Sequence, residues 1–188
     1  MKKVAVFFPG IGYTVDKPLM HYSRKLAKQL GYEEIILPYT GFPPKIQGDG
    51  NRMRESFEIA LVQSEEMLGD VDFTAYEEGL FIGKSIGTIV AAKIAAESLA
   101  KDRIRLVFYT PLSETFVYTF GESIVFTGDD DPWVGRENSR IPTLCWQKNI
   151  PCHIIEGANH SLESTDPIKD IKNLRKVMKK TKNFILGE

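Results

Sequence analysis

Leu80-Phe81-Ile82-Gly83-Lys84-Ser85-Ile86-Gly87 is the stretch that decides how this chain is read, together with the small-residue run at 88–96 that follows it. Three apolar residues lead into a serine flanked by glycines, and a run of helix-forming residues leads out. This is the strand–turn–helix setting in which a G-x-S-x-G serine is presented as a nucleophile. The residue types follow from sterics. A serine on so sharp a turn is held in a strained backbone conformation that lifts its hydroxyl off the sheet edge. Strand and helix backbones must then approach closely, which glycine two residues before and two after permits. The turn also leaves the Ile86 N–H at a helix N-terminus, where negative charge is favoured.

Two rival readings of the stretch are weaker. Its end resembles the phosphate-binding pattern G-x-x-x-x-G-K-[ST], but that pattern needs glycine where Glu78 stands. Its loop would also have to run through Leu80, Phe81 and Ile82, which read as a buried strand. The other reading makes Ser85 a mere helix cap. The rest of the chain decides against it.

Working outward, strands alternate with helices from end to end, with no repeat, low-complexity tract or linker. Residues 4–9 are a continuous apolar run, the mark of a strand buried on both faces. A helix is predicted over 18–30, with Tyr22, Leu26 and Leu30 on one stripe, and a second strand over 34–37. Residues 38–51 form a loop with three prolines and three glycines, long enough to be a candidate functional loop. A helix over 52–68 places Phe57, Ala60, Leu61, Ser64 and Leu68 on one face. Further strands are predicted at 80–82, 104–109, 123–127 and 152–155, with a helix around 143–148. Asp166-Pro167 starts the last helix, whose buried stripe is expected to be Ile168, Ile171, Leu174, Val177 and Met178.

This order implies βαβ units, and hence a doubly wound, mostly parallel α/β sheet of about six strands with helices on both faces. In such a sheet every strand ends on the same edge, where α/β folds place their sites. Partners for Ser85 should therefore follow other strands directly, and they do. Gly128-Asp129-Asp130-Asp131-Pro132-Trp133-Val134 follows the fifth strand, and Gly157-Ala158-Asn159-His160-Ser161 follows the sixth. Pro9-Gly10-Ile11-Gly12-Tyr13 follows the first. Serine, acid and histidine thus occur in the order Ser85, Asp131, His160.

On these motifs the chain resembles the α/β-hydrolase family over nearly all its length. The family's acid turn, G-x-x-D-x-x-V, falls on Gly128, Asp131 and Val134, which selects Asp131 over Asp129 and Asp130. Its histidine motif falls on Gly157 and His160. The His-Gly-x oxyanion loop falls on Pro9, Gly10 and Ile11, with proline in place of the histidine and Gly12 as the neighbouring candidate donor. The resemblance implies a minimal, single-domain form of the fold over residues 1–188, lacking the first two strands of larger members. It implies a Ser85–His160–Asp131 triad, with backbone N–H groups of Ile11 and Ile86 as oxyanion donors. The expected activity is esterase-type hydrolysis of a small-molecule acyl substrate. A non-catalytic binding protein on the same fold, and an acyltransferase using the same triad, are the alternatives.

Composition bounds the partners. Hydrophobic residues make up 43% and charged residues 26% of 188, with a net charge of −1, values ordinary for a soluble globular protein. Nothing there calls for nucleic acid or a membrane as partner, and no apolar run approaches the ~20 residues of a span. Met1-Lys2-Lys3 and the apolar run after it mimic a secretory signal, but Pro9-Gly10 ends the run early and no small-residue cleavage site follows. Cys145 and Cys152 read as reduced core thiols of a cytoplasmic protein, so the sequon Asn159-His160-Ser161 is expected to stay unmodified. No cofactor is implied. Asp129, Asp130 and Asp131 suggest a metal site, but adjacent side chains diverge and no second acidic cluster stands at ligand spacing, so no metal is expected. The lysines from Lys169 to Lys182 read as the solvated face of the last helix, and His21 and His153 as structural. Lys84 is a candidate for the pocket entrance, and Tyr13, Tyr39, Phe42, Tyr109 and Trp133 are aromatic candidates for its walls. Oligomeric state is not legible.

Only 13 residues, 110–122, separate the fourth strand from the fifth, where family members with lids carry them. That is too short for a lid domain. The expected outcome of a p-nitrophenyl ester series is faster turnover of butyrate than laurate, with no jump in rate at the micelle threshold. The reverse order would reveal a lid or a long acyl channel.

Overall fold

The computed structural model describes residues 2–118, 120–134 and 140–188. Along the chain run β1 (Lys3–Phe8), α1 (Pro18–Gln29), β2 (Glu33–Ile36), α2 (Gly50–Leu68), β3 (Glu78–Lys84), α3 (Ile86–Glu97) and β4 (Ile104–Tyr109). β5 (Ser123–Gly128), α4 (Arg140–Gln147), β6 (Cys152–Ile155) and α5 (Pro167–Leu186) complete it. The strands form one sheet in the order β2-β1-β3-β4-β5-β6, and every neighbouring pair is parallel.

Both faces of that sheet are covered, which is why its strands read as unbroken apolar runs. Val4, Val6 and Phe8 pack on one side, with Ala60 of α2, Val90 of α3 and Cys145 of α4. Ala5 and Phe7 pack on the other, with Met20 of α1 and Val177 of α5. The helix arrangement follows from crossover handedness. The chain moves one way from β1 to β2, so α1 takes one face. It then moves back past β1 to β3, so α2, and α3 after it, take the other. Strand order therefore reverses between β1 and β3, and the ends of those two strands flank the switch point where α/β sheets bind ligands.

Local sequence sets the element boundaries. The Asp49 carboxylate accepts the Asn51 and Arg52 N–H groups and starts α2 two residues before the expected position. Asp166 caps α5 in the same way, accepting from Ile168 and Lys169. Two predicted stripes are corrected. In α1 the buried residues are Leu19, Met20, Ser23 and Ala27, with Leu26 and Leu30 of the predicted stripe partly buried beside them, while Tyr22 is exposed. In α5 Leu174, Val177 and Met178 of the predicted stripe do pack on the core, joined by Thr181 and Ile185, but Ile168 and Ile171 are exposed. Helical period identifies an apolar face, but not which turns of it meet the sheet.

Ser23 and Thr181 are buried polar residues, and each has its partner. The Tyr109 hydroxyl lies 2.9 Å from Ser23 Oγ and 2.9 Å from Thr181 Oγ1, joining α1, β4 and α5 under the sheet. Tyr109→Phe should lower unfolding stability by about 1–3 kcal/mol, because it leaves two buried hydroxyls short of a partner. Chemical denaturation measures this, and undiminished stability would mean that the hydroxyls find other partners.

Candidate active site

Ser85 sits between β3 and α3 with φ 55° and ψ −123°, the strained conformation the turn demands. The two elbow glycines are there for space. A β-carbon on Gly87 would stand 2.0 Å from the Phe8 carbonyl oxygen, and one on Gly83 would stand 2.8 Å from Thr88 Cα. α3 thus rests backbone to backbone on the ends of β1 and β3. The Ser85 N–H donates to the Tyr109 carbonyl at 3.0 Å, and the Thr88 hydroxyl donates to the Ser85 carbonyl at 2.6 Å. The helix bonds start with the Thr88 N–H, so the Ile86 N–H at its first turn has no backbone partner among the described residues.

The three loops predicted to follow strands meet here. His160 Nε2 lies 2.7 Å from Ser85 Oγ, and His160 Nδ1 lies 2.6 Å from Asp131 Oδ2. Asp131 is buried, and its other oxygen accepts the Trp133 N–H at 2.9 Å. With Nδ1 donating to the carboxylate, Nε2 is left as the acceptor facing the serine hydroxyl. Burial lowers the His160 pKa below its ordinary 6.5, against the hydrogen bond to Asp131 that raises it, and the charge of Lys84 lowers it further. The neutral imidazole is the form that can take a proton.

The neighbouring acids have other tasks. Asp129 Oδ1 accepts the Gly157 N–H at 2.6 Å, and Asp130 is exposed, its N–H on the Ala158 carbonyl. The acid turn and the histidine loop are in direct backbone contact, because a β-carbon at Gly128 would stand 2.0 Å from the Ala158 carbonyl oxygen. After β1, Gly10 and Tyr13 exchange both N–H···O bonds at 3.2 Å and close a tight turn. Ile11 and Gly12 lie at its tip, so their N–H groups are the ones not used in closing it. A β-carbon on Gly10 would lie 3.2 Å from Ser85 Cβ, which places the turn against the elbow.

Three residues take places that the sequence did not show, although Trp133 and Lys84 were pocket candidates. Trp133 stacks on the His160 ring at 5.4 Å between centroids and 28° between planes. Thr110, just past β4, has φ 43°, unusual for a β-branched residue, and its hydroxyl donates to the His160 carbonyl at 3.0 Å. Lys84 is buried rather than at a pocket entrance. Of the aromatic wall candidates, the Trp133 ring stacks on His160, while Tyr13 and Tyr109 have buried side chains and Tyr39 and Phe42 pack against the core. The long loop before α2 does reach the site, with Gln47 Nε2 donating to the Pro132 carbonyl at 3.3 Å. Among the described residues no three His, Cys, Asp or Glu side chains converge as a metal site would require, and no helix is long and apolar enough to cross a membrane.

This architecture recurs in solved structures. An α/β serine hydrolase homologue from Coxiella burnetii matches with a TM-score of 0.65 at 16% identity, over 95% of this chain and 84% of its own. Est1E from Butyrivibrio proteoclasticus matches with a TM-score of 0.68 at 14% identity, over 99% and 88%. A lidless α/β serine hydrolase from Xanthomonas campestris matches with a TM-score of 0.61 at 12% identity, over 97% and 80%. The chain has the α/β-hydrolase fold. No protein-family model and no curated protein matches it in sequence.

Gly128→Ala tests the contact between the two loops. The added β-carbon should force them apart, lowering the melting temperature by more than about 5 °C. The low-field Nδ1 proton resonance of His160 should be lost with it. An unmoved melting temperature would mean that the backbone yields at little cost.

Proposed function

We propose that the protein is a serine hydrolase of esterase type, acting on a small acyl substrate through an acyl-enzyme on Ser85. One observation carries this reading: an unbroken hydrogen-bonded path, 2.6 Å then 2.7 Å, from the buried Asp131 carboxylate through His160 to the Ser85 hydroxyl. A hydroxyl is a poor nucleophile until a base removes its proton, and this path supplies the base. Ser85 Oγ attacks the acyl carbon while its proton passes to His160 Nε2. Asp131 holds the imidazole in its tautomer and stabilises the imidazolium, on which the Trp133 ring also rests. The negative oxygen of the tetrahedral intermediate is met by the N–H of Ile86 and by Ile11, with Gly12 as the alternative, each donor worth about 3 kcal/mol of barrier. As the intermediate collapses, His160 gives the proton to the departing alkoxide. A water then repeats the sequence, freeing the acid and regenerating Ser85. Ile11 and Val134, both partly exposed, pack on the buried cluster of Ile86, Ile89 and Leu112 and present the apolar side chains that a short acyl chain would meet.

The test is covalent labelling with a fluorophosphonate, together with turnover of p-nitrophenyl acetate. Wild type should label at Ser85, and Ser85→Ala should neither label nor turn over while keeping its fold. Asp131→Asn should lower kcat by more than about a hundredfold. Asp129→Asn should be mild by comparison, because its amide oxygen still accepts from Gly157. Undiminished turnover by Ser85→Ala would overturn the reading.

A further inference from the structure

Lys84 is the residue that the chemistry above leaves without a task. It ends β3, one position before the nucleophile, and is 1% exposed. Burying an ammonium is costly unless a partner compensates. Among the described residues no carboxylate lies within ion-pairing distance of it, and its contact is the Tyr13 ring, 4.9 Å from Nζ to the centroid. A methionine of similar length would occupy that space without the cost, so packing alone does not account for a lysine.

The surroundings show what it touches. Its stem lies against Gly10, whose β-carbon would be 3.4 Å from Lys84 Cγ. Its head lies on Tyr13. Gly10 and Tyr13 are the two residues that close the turn carrying Ile11 and Gly12. Tyr13 is fixed at its far end too, its hydroxyl oxygen accepting the Leu19 N–H at 3.1 Å. One side chain therefore joins the elbow to both ends of the turn beside it.

We infer that Lys84 is a positioning residue: its stem against Gly10 and its amine seated over the Tyr13 ring hold the Gly10–Tyr13 turn against the elbow, so that the oxyanion donor stays aimed at the acyl oxygen. The inference rests on the hydrolase reading. The charged groups that reach Lys84 come from separate loops: Asp131 after β5, and Glu163 and His160 after β6. Desolvation lowers its pKa to about 7, against the pull of Asp131 and Glu163. Below that pH the ammonium disfavours the imidazolium of His160. A second, independent signature follows. Removing the charge lets the His160 pKa rise, so the acid limb of activity should move to higher pH.

The experiment compares wild type with Lys84→Met and Tyr13→Leu, reading kcat, KM and the pH dependence of kcat/KM for p-nitrophenyl acetate, with fluorophosphonate labelling alongside. Lys84→Met should keep its fold and its KM, lose about tenfold or more in kcat through misplacement of the donor, and show an acid limb at higher pH. Tyr13→Leu should share the loss in kcat. Unchanged kcat and an unmoved acid limb in a folded Lys84→Met would overturn the inference. If that variant does not fold, undiminished kcat in Tyr13→Leu would do the same. Wild type that fails to label overturns the hydrolase reading and this inference together, whereas labelled wild type with an unaffected Lys84→Met overturns the inference alone.

Discussion

The approach of α3 to the ends of β1 and β3 is the contact on which the rest of the molecule depends. It is made by backbone against backbone, with no room for a side chain at Gly83 or Gly87. A serine at φ 55° costs on the order of 1–3 kcal/mol. The offset is visible around it: the Ser85 N–H on Tyr109, the Thr88 hydroxyl on the Ser85 carbonyl, and a first half of α3 buried all round from Ile86 to Ala92. The same approach brings the Gly10–Tyr13 turn beside the start of the helix. The proposed donors and the proposed nucleophile thus share one constraint.

A second backbone contact, Gly128 on Ala158, does for the acid and the histidine what the elbow does for the serine. Asp131 then spends both oxygens, one on the Trp133 N–H and one on His160. Thr110 supports the histidine loop from β4. Ser85, Asp131 and His160 are each held by a neighbour that belongs to a different strand end, which suits the preformed site proposed above.

Much of this was legible in the chain. Unbroken apolar runs such as 4–9 marked a sheet covered on both faces, and helices between them implied parallel strands. Glycine spacing and chain order brought Ser85, Asp131 and His160 to one edge, and the structure places them in hydrogen-bonding sequence. Side-chain fates were less legible. Lys84 looked like an entrance residue because a single position between glycines says nothing of depth. Tyr22 and Ile171 looked buried because period reports a face but not its neighbour. Thr110 had no motif to betray it, and Trp133, though a wall candidate, gave no sign of its place on His160, since a strained φ and a ring stack exist only in three dimensions.

β6, from which the histidine loop departs, has only four residues, lies at the margin of the sheet with one neighbouring strand, and leaves Ile154 51% exposed. Ser85, by contrast, rises from β3 near the middle, bonded on both sides. Proteins open first where contacts are fewest. Fraying of that margin would carry His160 away from the serine while the central strands remain intact. The proposed base thus stands on an edge strand and the proposed nucleophile on a central one, so the arrangement of His160 and Ser85 is expected to open before the sheet does.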